Sequence, residues 1–366
     1  MVRVSRVEFH GYADCIRLVN ANARVTLGHH CGGRVLEYSW QGINLLALDP
    51  NQAGWTFEPG GPEIDPWGGR FDIGPEKVIA PHPALWLGPW SAEVDDAGIA
   101  ELTSPADPTT GARLVREFEL DPVSSRLRCT QTMTNASTHD RAWYHWSRTL
   151  ATGGGIVIVP LTQPSRFPTG YVMYGPDWSA NYRPDDPNIR VRDGFLEIMG
   201  TPKYPKLCMD SYAGWLAYLA RSDRLFVKRF ATFPGRMYSD IVAPTLSVWY
   251  FEDRLCELEP MGPEERLAPG ESAAYTEEWW VLPYKFPERS DALDLTEIAD
   301  LVRRETSSQP STRSASCGSS CSPSIAAARR YSSRYTFGRR NRRQPRRWRF
   351  GERTSRPAAS RTRAQR

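Results

Sequence analysis

Short alternating segments separated by turn residues constrain the fold of this chain more than any other feature of its sequence. In RVLEYSW, Leu36, Tyr38 and Trp40 share one predicted face, and polar residues occupy positions 37 and 39 between them. A Gln-Gly dipeptide then turns the chain into the apolar run INLLAL. Comparable segments recur as far as residue 285, so the sequence predicts a meander of antiparallel strands.

Composition supports an all-β body with a single helix after it. The chain of 366 residues contains 13 Trp, 15 Tyr, 13 Phe, 30 Pro and 28 Gly, which favours many short strands and tight turns. Only DALDLTEIADLVRRE, residues 291–305, has a helical stripe of apolar residues with aspartates in its first turn. We therefore predict one domain over residues 1–290 and a capping helix over residues 291–305.

The last segment, residues 306–366, differs sharply from the rest of the chain. It contains 16 Arg, no Lys and one acid, which gives this segment a net charge of +15. Because the whole chain has a net charge of +4, residues 1–305, the body of the protein, carry a net charge of −11. With scarcely an aliphatic residue it is predicted to be disordered. An arginine-rich arm for nucleic acid is one interpretation, and an extension without a selected role, of the kind a frameshift produces, is the other. The acidic body offers no bulk attraction for nucleic acid or an anionic membrane.

Cysteine usage and the amino terminus indicate a reduced, cytoplasmic protein. Seven scattered cysteines, an odd number, argue against a disulfide framework. Cys317 and Cys321 have no second pair and no nearby histidine, so neither a zinc site nor a cofactor is expected. The amino terminus lacks the apolar core of a signal peptide, and no run reaches the ~18 apolar residues of a membrane span.

Two irregular stretches interrupt the strand pattern. Residues 49–89 are rich in Gly, Pro and Trp, and roughly residues 162–210 form a second segment of this kind. Proline removes ladder donors and glycine permits tight turns, so neither stretch is regular structure. A structured aromatic loop of this length has a binding role or, alternatively, forms a lid over a sheet edge.

Four segments, in order, resemble the galactose mutarotase-like (aldose 1-epimerase) superfamily. They are VTLGHHCGGRVLEYSWQGINLLAL, WGGRFDIGPE, LRCTQTMTNASTHDRAWYHW and CELEPMGPEERLAPGESAAYTEEWWVLPY. The resemblance spans roughly residues 5–285, and its first and last elements are the most specific. PKYPKL, GWLAYL and LFVKRF are closest to a branch of the superfamily whose function is unknown. The resemblance implies an antiparallel β-supersandwich with a sugar-binding cleft across one sheet.

The closing segment contains two glutamates on one predicted face. Alternation places Cys256 and Leu258 on the opposite face, so both Glu257 and Glu259 would project into the cleft if these two residues pack inward. Neighbouring carboxylates repel, which raises one pKa and favours an acid/base pair or a cation between them. The alternative is a solvated face with each glutamate paired to Arg or Lys. The superfamily's catalytic base precedes a proline, which implies Glu259.

The resemblance also implies a histidine as general acid. His145 in WYHW follows Asn135 by ten residues on an aromatic strand, as the superfamily's histidine follows its asparagine. The alternative for a lone strand histidine is a place in the core. His82 in PHP is the second candidate, although the superfamily's His-Gly-Gly is missing there.

Further side chains are candidates for sugar contacts. A guanidinium suits vicinal hydroxyls, and indole rings suit the apolar faces of sugars. Their alternatives are surface positions for the charged residues and loop anchoring for the tryptophans. The candidates are Arg70, Lys206, Asp210, Trp67, Trp86 and Trp90.

The sequence thus predicts a carbohydrate-active protein. The leading hypothesis is aldose 1-epimerase chemistry with Glu259 as base and His145 as acid, because anomer interconversion needs a base for the anomeric hydroxyl and an acid for the ring oxygen. The alternative is a non-catalytic carbohydrate-binding protein of the same fold, which leaves open whether the chain is an enzyme. A small sugar is the expected partner, and the chain is expected to be a monomer or dimer.

Overall fold

A computed structural model describes residues 1–289 and 292–306, and all of these residues belong to one compact unit. The predicted tail, apart from Thr306, lies outside the described residues, so its boundary and its disorder stay predictions. The elements are strands, two α-helices and one short 3-10 helix, Pro50–Gln52. The first thirteen strands are β1 Arg3–Phe9, β2 Tyr12–Val19, β3 Ala23–Gly28, β4 Arg34–Trp40, β5 Ile43–Asn44, β6 Gly69–Gly74, β7 Ser91–Val94, β8 Ala100–Thr103, β9 Ala112–Leu120, β10 Leu127–Asn135, β11 Arg141–Thr152, β12 Ile156–Pro160 and β13 Tyr171–Tyr174. The remaining elements are β14 Ala180–Asn181, β15 Ile189–Arg192, β16 Phe195–Ile198, β17 Lys206–Met209, β18 Trp215–Ala220, β19 Arg224–Phe230, β20 Leu246–Phe251, β21 Leu255–Pro260, β22 Glu265–Leu267, β23 Ser272–Pro283, α1 Pro83–Leu87 and α2 Leu295–Thr306.

The strands form two antiparallel sheets, as the alternating pattern predicts. The first sheet has the order β1-β2-β3-β4-β6-β11-β21-β20-β17-β13-β14, with β5 and β22 paired at its side. The second sheet has the order β15-β16-β12-β18-β19-β23-β10-β9-β8-β7. The centre of the first sheet therefore joins strands from distant parts of the chain, so residues that lie far apart in sequence share one face. The predicted all-β supersandwich is confirmed.

The main core lies between the inner faces of the two sheets. Cys256 and Leu258 belong to it, together with Trp279 of β23. This confirms the prediction that these two residues pack inward and that Glu257 and Glu259 point to the other side. We call that other side of the first sheet, which faces away from the second sheet, its outer face.

One predicted face is wrong. Tyr38 and Trp40 contact the main core, but Leu36 packs in a separate cluster on the outer face. The pairing of β3 with β4 shifts by one residue between Thr26 and Leu27, which indicates a β-bulge. A bulge reverses the inward and outward alternation of the residues that follow it, and the sequence pattern contains no sign of this shift.

A buried ion pair stands in the core between the sheets. The ammonium of Lys228 lies 3.0 Å from the carboxylate of Glu277 and donates hydrogen bonds to the hydroxyls of Ser147 and Thr149. Both charged side chains are almost fully buried. The hydroxyl partners belong to the first sheet and the ion pair to the second, so polar contacts as well as apolar packing hold the two sheets in register.

Helix α2 covers the outside of the second sheet. It begins at Leu295, four residues later than predicted, because the Asp294 carboxylate accepts a hydrogen bond from the backbone N–H of Glu297. Its buried stripe includes Ile298 and Val302, which pack against β18 and β19. In the part of the chain that the structure describes, no helix has the length and hydropathy needed to cross a membrane.

Five cysteines lie within the described residues, and all of them are buried free thiols. Burial raises the pKa of Cys129 and of Cys208 to about 12, so these thiols stay protonated near neutral pH. The five residues are Cys15, Cys31, Cys129, Cys208 and Cys256. They are therefore structural side chains of the core and its flanks.

Candidate functional site

The outer face of the first sheet carries a cleft with two adjoining lobes. The first lobe has a volume of about 340 Å³ and the second about 240 Å³. Trp146, Arg148 and Glu76 belong to both lobes and form their junction. Other residues of the first lobe are Tyr174, Trp178, Tyr204, Lys206, Trp249 and Glu257. Other residues of the second lobe are Glu63, Asp72, Ile79, Ala80, His82 and Trp86.

The pairing of residues across neighbouring strands determines which side chains form the floor of the cleft. Lys206 of β17 pairs with Trp249 of β20, and Trp249 pairs with Glu257 of β21. Alternation along β11 sends Trp146 and Arg148 to the same outer face, two residues apart. Side chains from four adjacent strands thus converge on one patch, and residues 49–89 and 162–210 supply the walls. The prediction that these two stretches contain no regular structure is wrong, because the first contains β6 and α1 and the second contains β13 to β17.

Glu259 forms a fully buried anchor beneath this patch. One carboxylate oxygen accepts hydrogen bonds from the indole N–H of Trp146 and the hydroxyl of Ser247, each at 2.8 Å. The ammonium of Lys206 lies 2.6 Å from both carboxylate oxygens. Burial raises the pKa of Glu259 above its ordinary value, and the Lys206 ammonium opposes this effect. Glu259 does not line either lobe.

Glu257, in contrast, lines the first lobe. Its carboxylate accepts a hydrogen bond from Nε of Arg148 at 2.9 Å, and a guanidinium nitrogen of Arg70 lies 3.6 Å away. Burial alone would raise the pKa of Glu257, but the two arginines, Arg148 foremost, lower it to about 2. The guanidinium carbon of Arg148 in turn lies 4.3 Å from the ring centroid of Trp146. Glu257 is therefore paired with Arg and Glu259 with Lys, which is the alternative that the sequence left open, although both carboxylates are buried rather than solvated.

The charges of the first lobe are fixed near neutral pH. Burial opposes the positive charge of Arg148, but Glu257 outweighs this effect and raises the pKa of Arg148. In the same way Glu259 outweighs the effect of burial and raises the pKa of Lys206. Groups with such pKa values hold a substrate in place but exchange protons poorly, because general acid/base catalysis works best when the pKa lies near the working pH.

His82 lies in the second lobe and is held at both ring nitrogens. Nε2 lies 2.8 Å from a carboxylate oxygen of Asp72, and Nδ1 lies 2.8 Å from the backbone carbonyl of Ala80. Burial lowers the pKa of His82, but the hydrogen bond and the charge of Asp72 outweigh it and raise the pKa to about 9. The imidazolium is thus the main form at neutral pH, with both N–H groups occupied by the protein.

Arg70 lies under the cleft rather than in its wall. Its guanidinium is buried, forms an ion pair with Asp65 and stacks on Trp86 at 5.2 Å from the ring centroid. It therefore positions Trp86 and the carboxylate of Glu257. The predicted direct contact between Arg70 and a sugar has no support from this arrangement.

The predicted acid His145 does not face the cleft, which corrects the expected pairing with Glu259. Its ring is buried in the core and stacks between Phe71, at 5.6 Å, and Tyr275 of the second sheet, also at 5.6 Å. Burial lowers the pKa of His145 to about 3, so the ring is neutral. Alternation along β11 sends Trp146 to the outer face and His145 to the inner one.

Three other predicted contact residues also lie outside both lobes. Trp67 packs against an apolar cluster beside Leu150, with the guanidinium of Arg254 5.4 Å from its ring centroid. Trp90 is buried in the main core, and Asp210 accepts hydrogen bonds from Ser165 and from the backbone N–H of Arg166. All three anchor loops, which is the alternative that the sequence left open for the tryptophans.

Several side chains of the first lobe escaped prediction. Trp146 and Arg148 follow His145 by one and three residues on the same strand, and alternation could have singled them out as soon as His145 was placed inward. Trp249 precedes Glu257 on a hairpin and shares its face by register. Trp178 and Tyr204 lie in the second irregular stretch, where no periodic pattern indicates direction. Among the described residues, no group of three or more His, Cys, Asp or Glu side chains could hold a metal ion.

Comparison with solved protein structures identifies the fold of this chain. No protein-family model matches the chain, and no curated protein sequence matches it. Slr1438 from Synechocystis sp. PCC 6803 is 14% identical over 77% of this chain and 96% of its own, with a TM-score of 0.50. A galactose mutarotase-like protein from Lactobacillus casei is 10% identical over 73% of this chain and 100% of its own, also with a TM-score of 0.50. These likenesses show that the chain has the galactose mutarotase-like fold.

Proposed function

We propose that this protein binds a carbohydrate in the cleft on the outer face of the first sheet. The observation that carries the proposal is the composition of the first lobe, where aromatic rings face fixed charges. Trp178, Tyr204 and Trp249 offer apolar planes, and the ion pair of Arg148 with Glu257 offers donors and acceptors beside them. A pyranose has apolar C–H faces and a rim of hydroxyls, so it needs both kinds of partner.

The paired charges suit neutral hydroxyls better than an anion. Arg148 and Lys206 are each neutralised by a buried carboxylate, so the first lobe does not present net positive charge. Hydrogen bonds between such charged groups and hydroxyls are stronger than those between neutral groups, and their fixed geometry adds specificity. The similarity to a galactose mutarotase-like protein supports a sugar as the ligand class.

Aldose 1-epimerase chemistry finds less support than binding. It requires one group that accepts and one that donates a proton on opposite sides of the anomeric centre. Glu257 has a pKa of about 2, Glu259 is covered by Trp146 and Lys206, and His145 lies in the core. We therefore favour the alternative function, a non-catalytic carbohydrate-binding protein of the same fold.

Tryptophan fluorescence and saturation-transfer NMR with neutral mono- and disaccharides test binding directly. We expect saturable binding, with transfer to sugar C–H protons because they lie on indole rings. Polarimetry on freshly dissolved α-glucose and α-galactose tests catalysis, and we expect the buffer rate of anomer interconversion. An accelerated rate that Glu259→Gln abolishes would contradict the non-catalytic assignment, and the lack of any sugar binding would contradict the proposal itself.

A further inference from the structure

The two lobes of the cleft differ in chemistry but adjoin at three shared residues, Glu76, Trp146 and Arg148. The inference about the ligand rests on the proposed carbohydrate binding. A pyranose has the bulk of roughly six water molecules, or about 180 Å³ at ~30 Å³ per water. The lobes, at about 340 Å³ and 240 Å³, each exceed this volume. A single monosaccharide would therefore fill one lobe and leave the other to solvent.

The junction between the lobes is built to contact a ligand that passes from one to the other. Trp146 and Arg148 line both lobes, so a ligand that occupied both lobes would contact these two side chains. Arg148 is immobilised there by its hydrogen bond to Glu257 and by its stacking on Trp146. A guanidinium held in this way can serve the oxygens of two adjacent sugar units without losing side-chain entropy on binding.

The second lobe has its own ring platform and its own polar groups. Trp86 forms part of its wall and is held by Arg70, while the ion pair of His82 and Asp72 lies beside it. This repeats the pattern of the first lobe, where an aromatic ring also stands next to a buried ion pair. A repeated pattern of this kind fits a ligand with repeated units.

Charge narrows the ligand further. Asp72 is neutralised by His82, but Glu63 and Glu76 are exposed carboxylates on the lining of the second lobe. Lys77 forms an ion pair with Glu76 at the surface, where such pairs contribute little. An anionic sugar unit, such as a uronate or a phosphate ester, would be repelled by these carboxylates. The hydroxyls of a neutral unit could instead donate hydrogen bonds to them.

We propose that the cleft recognises two linked neutral sugar units, either a disaccharide or the end of a longer glycan, with one ring in each lobe and Arg148 at the linkage. The first lobe supplies the broader aromatic surface, and the second supplies Trp86 and the acidic rim.

Isothermal titration of the full chain tests this assignment. The probes are methyl glycosides of glucose, galactose and mannose, and the disaccharides maltose, cellobiose, lactose and mannobiose. We expect at least one disaccharide to bind about tenfold more tightly than the methyl glycoside of either component, a difference of about 1.4 kcal/mol. The analogue of that disaccharide with one glucuronate unit should bind more weakly.

Variants separate the lobes. Ala80 is exposed on the lining of the second lobe, and Ala80→Trp fills that space, so the disaccharide affinity should fall to the monosaccharide level. Val78→Trp is the matched control, because Val78 is 78% exposed and lines neither lobe. Trp86→Ala is the second variant should Ala80→Trp fail to fold, and it should also lower disaccharide affinity.

The outcomes distinguish this inference from the proposed function. Equal affinity for disaccharides and their components, or unchanged disaccharide affinity in a folded second-lobe variant, overturns the two-unit ligand but leaves sugar binding intact. Equal affinity for the glucuronate analogue overturns the assignment of a neutral ligand. If no sugar of either size binds, the proposed function and the two-unit ligand fail together.

Discussion

The ammonium nitrogen of Lys206 lies 2.6 Å from both carboxylate oxygens of Glu259, although β20 separates the strands that carry these residues. Trp146 and Ser247 complete the set of donors around the same carboxylate. Glu259 therefore cross-links four adjacent strands beneath the cleft, and its oxygens are occupied by the protein. This explains why a glutamate on a strand that is buried on both faces is tolerated.

Removing the cation from this buried pair should destabilise the fold. In Lys206→Met the charge of Glu259 loses its counter-ion, and we expect the free energy of unfolding at pH 7 to fall by about 3–5 kcal/mol. Urea denaturation followed by far-UV circular dichroism measures this loss. The double variant Lys206→Met with Glu259→Gln should recover much of it, because no uncompensated charge then remains. The role of the pair in stability would be disproved by a single variant as stable as the wild type.

Trp249 should contribute strongly to sugar affinity. It lines the first lobe beside Glu257, and Trp249→Ala removes one aromatic plane without touching the buried ion pairs. We expect affinity for the tightest-binding sugar to fall about tenfold, as expected for the loss of one stacked ring at about 1–2 kcal/mol. Tyr182→Ala, an exposed aromatic outside both lobes, is the control. Titration calorimetry on the two variants checks this, and equal losses would argue against binding in the first lobe.

Stability should fall as pH rises above neutrality because of His82. Asp72 raises the folded-state pKa of His82 from 6.5 to about 9, so the stabilising contribution is complete below pH 6.5 and is lost as pH rises to about 9. The contribution is about 3 kcal/mol at most by the relation between pKa and free energy.

The variant His82→Gln keeps a polar side chain but cannot titrate, so its unfolding free energy should not show this decline. Urea midpoints at pH 6, 7, 8 and 9 compare the two proteins. Parallel pH profiles would show that the His82 and Asp72 pair does not stabilise the folded state through its charge.

His145 should produce the opposite dependence at acid pH. Burial lowers its folded-state pKa from 6.5 to about 3, so the contribution is present above pH 6.5 and is lost as pH falls toward 3. In His145→Phe the free energy of unfolding should fall less steeply than in the wild type as the pH is lowered. The two slopes should differ by up to about 1.4 kcal/mol per pH unit. Stability at pH 7 and sugar affinity should change little, because a phenyl ring fits between Phe71 and Tyr275.

The control is His139→Phe, the same substitution at a histidine that is exposed. Thermal melts between pH 4 and 7 measure the slopes, and titration calorimetry measures the sugar affinity. Loss of sugar affinity in folded His145→Phe would contradict the assignment of His145 to the core.

Part of the site could be predicted from the sequence because one face of β21 is apolar and the other is not. Cys256 and Leu258 alternate with Glu257 and Glu259, which predicts opposite directions for the two pairs, and Cys256 and Leu258 do pack into the core between the sheets. Strand β11 gives no such contrast, because aromatic residues stand on both of its faces and both faces are buried. Alternation therefore separated His145 from Trp146 but could not say which of them points inward.

The sequence by itself determined the all-β class and the recurrence of short strands, but it did not reveal the strands β6 and β13 to β17 within the two stretches predicted to be irregular. The tertiary structure decided which carboxylate lines the cleft and which is buried under it. The physical reason is that their partners come through sheet order: Lys206 and Trp146 lie 53 and 113 residues from Glu259. Local periodicity fixes the direction of a side chain along its own strand, but only the pairing of strands determines what that side chain meets.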